Sequence, residues 1–276
     1  MAAGSRATQS TGTRLHIVAL GSSFAAGPGI QPQALKIAGR SQRNYAGLLA
    51  ARLGAKLTDL TVSSATLKNV LSEPQVLYRN HFAPQLSAFP PDVDVVTITG
   101  GGNDLKYIAG MTLAAIRSSW IGRFISWFLP LTSNEEPLTT EAVAERFIAV
   151  IDKIRETSPQ CQILLVEYLT LLGPDIHPGV DVPLKSAEIK QSQNIASELQ
   201  KAYALAAEAR DGCKVIPAAD MSRDHGIGSD EPWVQGFSYG LLLAGGVPFH
   251  PNAKGMEAVS EMLYQELRSN DSLMIN

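Results

Sequence analysis

The chain has 276 residues, 45% of them hydrophobic and 18% charged, with 23 Lys+Arg against 26 Asp+Glu. That apolar fraction excludes wholesale disorder, and a net charge of −3 leaves no electrostatic footprint for nucleic acid. No window approaches the roughly 18 uninterrupted apolar residues that a membrane-spanning helix needs.

Residues 1–14 are small, polar and basic, and read as a flexible tail ahead of a single domain over 15–270. The tail lacks the apolar stretch of a secretory signal, which points to the cytoplasm. LHIVALG (15–21) is a short apolar run closed by glycine, a buried strand. Tyr45, Leu48, Leu49 and Leu53 form a helical stripe stopped by Gly54. LTDLTV (57–62) is a second strand, and 67–89, with two prolines and mixed periodicity, predicts broken helix. VDVVTITG (93–100) is the third strand. Residues 139–157 form a helix that Thr139 or Thr140 can cap, with Val143, Phe147, Val150, Ile151 and Ile154 on one face. QILLVEYL (162–169) is the fourth strand, 187–210 a long helix, CKVIPAAD (213–220) the fifth strand and 253–268 the last helix.

Continuously apolar strands separated by helices predict a parallel sheet covered on both faces. The expected fold is α/β: a three-layer α/β/α, flavodoxin-like domain around a five-stranded, mainly parallel sheet. In such sheets a ligand sits beyond the carboxyl ends of the strands. Four segments fall there: Gly21-Ser22-Ser23-Phe24-Ala25-Ala26-Gly27, Ser63-Ser64-Ala65-Thr66, Gly100-Gly101-Gly102-Asn103-Asp104 and Pro248-Phe249-His250-Pro251-Asn252-Ala253-Lys254-Gly255. They bring a hydroxyl, a primary amide on a glycine-rich turn and an imidazole to one edge. Taken singly, each has a structural explanation. Ser23 can cap a helix, His250 before Pro251 can open one, and Asn103 can occupy a left-handed turn. A shared catalytic role explains all three together.

These segments resemble the four blocks of the SGNH hydrolases, the GDSL-like lipase/esterase family. GSSFAAG is similar to the family's G-D-S-x-x-x-G, GGND matches its third block, and FHPNAKG its closing block. The resemblance implies a serine esterase or lipase working through an acyl-enzyme, with Ser23 as nucleophile and His250 as its base. It also implies an oxyanion hole built from the Ser23 N–H, the Ser64 N–H and the Asn103 side chain. No cofactor and no metal are implied; the partner is a small-molecule or lipid ester. Carbohydrate acetyl esters and acyl transfer to an alcohol are variants on the same site.

The chain departs from the family pattern at three places. Ser22 stands where the family has aspartate. Ser64 replaces a glycine, and a glycine-only φ there would strain a side chain. Val247 occupies the position of the aspartate that orients the histidine. The expectation is therefore a Ser23–His250 dyad in which the main-chain carbonyl of Val247 accepts from the imidazole, with Asp230 and Asp224 as fallback carboxylates.

His16, His81, His177 and His225 lack metal-ligand spacing, and Cys161 and Cys213 read as thiols at the starts of neighbouring strands. The apolar segment at about 111–137, carrying Trp120, Phe124 and Trp127, is either a helix packed on the core or a lid that binds acyl chains. Trp233 is the candidate opposite wall. Two rivals remain. A phosphate could sit on GSSFAAG, although that leaves GGND and FHPN unexplained, and the chain could be a catalytically inactive descendant.

Overall fold

The structure is a computed structural model and describes residues 14–126 and 137–269. Residues 1–13 of the expected tail lie outside the described residues, as do 127–136 of the apolar segment, Trp127 among them.

The chain enters through β1 (His16–Gly21) and one helical turn, α1 (Ser23–Ala26). A small antiparallel pair, β2 (Gln33–Leu35) and β3 (Arg40–Ser41), leads to α2 (Tyr45–Leu53) and β4 (Lys56–Asp59). After α3 (Leu67–Leu71) comes a second antiparallel pair, β5 (Gln75–Leu77) and β6 (Asn80–Phe82), and then β7 (Val95–Thr99). Helices α4 (Tyr107–Arg117), α5 (Trp120–Ser126) and α6 (Thr140–Thr157) precede β8 (Gln162–Val166). Then follow α7 (Ser186–Glu208), β9 (Cys213–Ile216), α8 (Ala218–Met221), α9 (Tyr239–Leu243) and α10 (Ala253–Ser269).

Five of these strands form one parallel sheet in the order β4-β1-β7-β8-β9. This is the expected α/β arrangement. Helix α2 packs against α10, and α6 against α7 and α3. A central strand covered on both faces has no polar side, so Ile17, Val18, Ala19 and Leu20 are all fully buried. The α6 stripe of Val143, Phe147, Val150, Ile151 and Ile154 is buried as its period demands, and Thr139 caps it by accepting from the Ala142 N–H at 3.2 Å.

Two expectations need correction. Residues 67–89 are not a broken helix throughout: only α3 is helical before the β5–β6 hairpin. Gln75 and Leu77 turn inward and Val76 outward, a period of two, and Tyr78 and Arg79 both take positive φ, as a two-residue hairpin turn requires. Neither is glycine or asparagine, so the turn left no sequence signal. The apolar runs also overshoot the strands. CKVIPAAD pairs only as far as Ile216, because the chain enters α8 directly after Pro217. Cys161 and Cys213 are free thiols, and burial pushes both upward in pKa, Cys161 to about 11.

Candidate active site

The turn that carries Ser23 is made by close backbone approach. Gly21 has φ +130, and a Cβ there would lie 2.0 Å from the Thr99 carbonyl oxygen, so β1 can meet the end of β7 only through glycine. Ser22 then donates its N–H to that carbonyl at 2.9 Å. The buried Gln85 amide binds both the N–H and the C=O of Gly21, each at 2.9 Å. Ser23 thus starts α1 from a pinned backbone, and its N–H, at the first helical position, has no carbonyl one turn back to bind. Ser22 is fully buried; its Oγ lies 2.8 Å from the Tyr168 hydroxyl, and Phe24 stacks on the Tyr168 ring at 3.8 Å. Burial pushes the Tyr168 hydroxyl far up in pKa, so this pair is neutral.

The histidine arrives on a backbone held from two sides. Phe249 donates its N–H to the Gln235 carbonyl and Gln235 donates to that of His250, both at 2.8 Å, while Val234 bridges to Pro251. Asn252 caps α10 by accepting from the Gly255 N–H at 3.0 Å. Phe249 holds φ +58 with its ring fully buried, a left-handed backbone for a bulky residue at the site itself. His250 Nε2 lies 2.8 Å from Ser23 Oγ, and its Nδ1 lies 2.7 Å from the Pro248 carbonyl oxygen. A carbonyl only accepts, so Nδ1 carries the proton and Nε2 offers its lone pair to the serine hydroxyl. Burial lowers the imidazole pKa to about 4, with the Pro248 hydrogen bond acting the other way.

The orienting acceptor is thus a main-chain carbonyl, but that of Pro248 rather than Val247. With Phe249 in the left-handed region, the carbonyl two residues before the imidazole is the one that meets Nδ1. Neither fallback carboxylate takes part. Asp224 and Asp230 border a separate surface pocket with residues 173–176.

Across the cleft, Ser64 has φ +64, the conformation a glycine would adopt freely. The exposed Ser64 N–H has no acceptor among the described residues. Its neighbours are fixed: Ser63 donates to the Ala38 carbonyl at 2.9 Å and accepts from the Gln75 side chain at 2.7 Å. Asn103 places one amide hydrogen on the Ala65 carbonyl at 2.8 Å, which orients the other. Gly102 lets Tyr168 pass, since a Cβ would sit 2.6 Å from its ring. The buried Asp104 accepts from the Leu67 N–H at 3.0 Å and from Arg146 at 2.6 Å, fastening the third block to α3. Desolvation raises its pKa against those bonds.

Trp120 and Phe124 on α5 are largely exposed. Trp233 stacks on His225 at 3.8 Å and borders a groove with Ile216 and Met262. A cavity of about 270 Å³ behind Tyr107 and Tyr168 does not reach Ser23, Asn103 or His250. No group of His, Cys, Asp and Glu able to hold a metal occurs among the described residues.

Residues 19–258 match the GDSL-like Lipase/Acylhydrolase family. The chain belongs to this family. It is 28% identical to Lipase 2 of Streptomyces coelicolor over 90% of this chain and 84% of that protein. Among solved structures, phospholipase A1 from Streptomyces albidoflavus superposes with a TM-score of 0.69 at 19% identity, covering 93% of this chain and 99% of that one. An extracellular lipase from Streptomyces rimosus gives 0.66 at 21% identity, covering 92% and 99%. The protein is an ester-hydrolysing enzyme. Reasoning from sequence missed four residues of this GDSL-like site: Gln85, Tyr168, Pro248 and the Arg146 partner of Asp104. Each acts over a long sequence separation or through its main chain, so no local motif announces it.

Proposed function

We propose that the protein is a cofactor-independent serine esterase acting on carboxylic esters through an acyl-enzyme on Ser23. The observation that carries this is the continuous chain from Ser23 Oγ through the His250 imidazole to the Pro248 carbonyl. Ser23 Oγ attacks the ester carbonyl carbon while its proton passes to His250 Nε2. The resulting oxyanion is met by the N–H groups of Ser23 and Ser64 and by the Asn103 amide. Collapse expels the alcohol, which takes the proton from Nε2. Water then repeats the sequence on the acyl-enzyme and restores Ser23.

Burial keeps the imidazole neutral in the resting site, which is the form a general base needs. The imidazolium is disfavoured until the oxyanion appears beside it. The two charges then offset each other's burial only in the tetrahedral state, so the stabilisation is confined to where it accelerates the reaction. A lipid-type acyl substrate is supported by the lipases among the relatives and by the apolar segment after the third block.

Hydrolysis of p-nitrophenyl esters from acetate to palmitate, wild type beside Ser23→Ala, tests this reading. Turnover abolished by the substitution is the expected result. Turnover that survives Ser23→Ala would overturn it.

A further inference from the structure

Away from the Ser23 cleft, the cavity of about 270 Å³ lies between α7 and the segment that follows β8. Leu169, Leu171 and Leu172 line it from that segment, and Ala196 and Leu199 from the helix. Its buried end is set by Tyr107, Tyr168 and Tyr203, and its solvent end by the exposed Asp220 and Arg223. Hydrogen bonds fix these walls. Gln193 donates to the Leu172 and Gly173 carbonyls at 3.2 and 3.4 Å. Thr170 donates its N–H to the Ser222 hydroxyl at 2.8 Å and its own hydroxyl to the Ala219 carbonyl at 2.7 Å. The space is built into the fold rather than left by a loose loop.

One polar group at the buried end is left over. The Tyr203 hydroxyl accepts from the Gly100 N–H at 3.1 Å and donates to the Gly100 carbonyl at 2.9 Å. The Tyr168 hydroxyl lies 2.8 Å from that of Ser22. Tyr107 is only 3% exposed, yet its hydroxyl has no hydrogen-bond partner among the described residues. Buried hydroxyls are normally paired, so a group entering the cavity would complete this one. Burial pushes the Tyr107 hydroxyl up in pKa, which leaves it a neutral donor and acceptor.

Charge and shape narrow the ligand. Asp220 and Arg223, one of each sign, are the charged residues on the lining, and both stand at the solvent end. The buried Glu167 is turned onto the Ala219 N–H at 3.2 Å and does not line the space. An ion carried to the buried end would find no countercharge there. A cavity of roughly 150 Å³ holds a benzene ring, so this one has room for one or two rings. Tyrosine rings favour a flat aromatic neighbour, and a rigid ligand loses little freedom on binding.

We infer that this cavity is a second ligand site, for an uncharged aromatic alcohol of one or two rings whose hydroxyl meets that of Tyr107. Tyr168 divides it from the Ser23 cleft, with its ring stacked on Phe24 at 3.8 Å. The binding does not depend on the proposed hydrolysis.

The test is calorimetric titration of the full-length protein with 2-naphthol, 2-naphthoate and naphthalene. The expected result is one 2-naphthol per chain, bound about tenfold or more tighter than either of the others. Tyr107→Phe should bring 2-naphthol down to the affinity of naphthalene and leave naphthalene itself unchanged. Ala196→Phe, which fills the cavity, should abolish binding of both, with a cooperative thermal melt showing that the fold is kept. Three results would overturn the inference. They are no binding of 2-naphthol, 2-naphthoate bound as tightly as 2-naphthol, or binding that Tyr107→Phe and Ala196→Phe both leave intact. The last would place the naphthol in another part of the molecule. Loss of ester hydrolysis has no bearing on any of these readings.

Discussion

The two halves of the proposed catalytic pair are built differently. Ser23 stands on a turn dictated by side-chain identity: glycine at 21 because Thr99 leaves no room, Gln85 clamping that glycine, and Ser22 paired with Tyr168. His250 stands on a loop dictated by main-chain geometry: a two-sided ladder with Gln235, a left-handed Phe249 and the Pro248 carbonyl in place of a carboxylate. A carbonyl fixes the tautomer and orientation as a carboxylate does, but brings no full charge to stabilise the imidazolium. The comparison teaches that orientation, rather than a buried anion, is what the histidine arm supplies.

Substitutions break this comparison most sharply at the pair itself. His250→Ala should lower kcat/KM by about 10⁴–10⁶-fold, whereas Asp224→Asn and Asp230→Asn should stay within about twofold. Steady-state rates on p-nitrophenyl acetate decide it. Asn103→Ala removes one oxyanion donor and should cost about 10²–10³ in kcat with little change in KM.

Acid pH probes the histidine arm alone. The acid limb of kcat/KM should fall near pH 4 instead of 6.5, because burial disfavours the imidazolium in the folded state. For stability the sign follows from proton counting. Between pH 6.5 and about 4 the unfolded chain takes up a proton that folded His250 refuses, so this contribution is complete above 6.5 and is lost as pH falls towards 4. Thermal melts of wild type and His250→Gln across that window should converge as pH falls.

Smaller effects sharpen the serine side. Tyr168→Phe leaves the buried Ser22 hydroxyl without its partner and should destabilise by about 1–3 kcal/mol in denaturant titrations. Val247→Asp should leave activity essentially unchanged, since the imidazole Nδ1–H is already bound by Pro248. A clear gain in kcat would mean that the histidine arm lacks charge rather than geometry.

The sheet was legible because strands buried on both faces must be apolar throughout, as Ile17–Leu20 are. The meeting of Ser23 and His250 was legible because the proposed chemistry needs those residue types at one edge of the sheet. Pro248 was not, since any residue offers a carbonyl and only the φ of Phe249 selects which one is used. The β5–β6 hairpin was hidden for a related reason. Tyr78 and Arg79 hold positive φ against their own preference, in a turn where the Asn80 side chain donates to the Leu77 and Tyr78 carbonyls at 3.2 and 3.1 Å. Ser64 was half legible: the glycine position implied a left-handed backbone, and φ +64 is what the serine adopts.

The most direct measurement is the inactivation rate by a p-nitrophenyl phosphonate, with the adduct located by peptide mass, in wild type, His250→Ala and the Asp224→Asn/Asp230→Asn pair. The account predicts a single adduct on Ser23, formed at the wild-type rate without the two carboxylates and far more slowly without the imidazole. An adduct on another serine, or a rate that collapses when the carboxylates are removed, would contradict it.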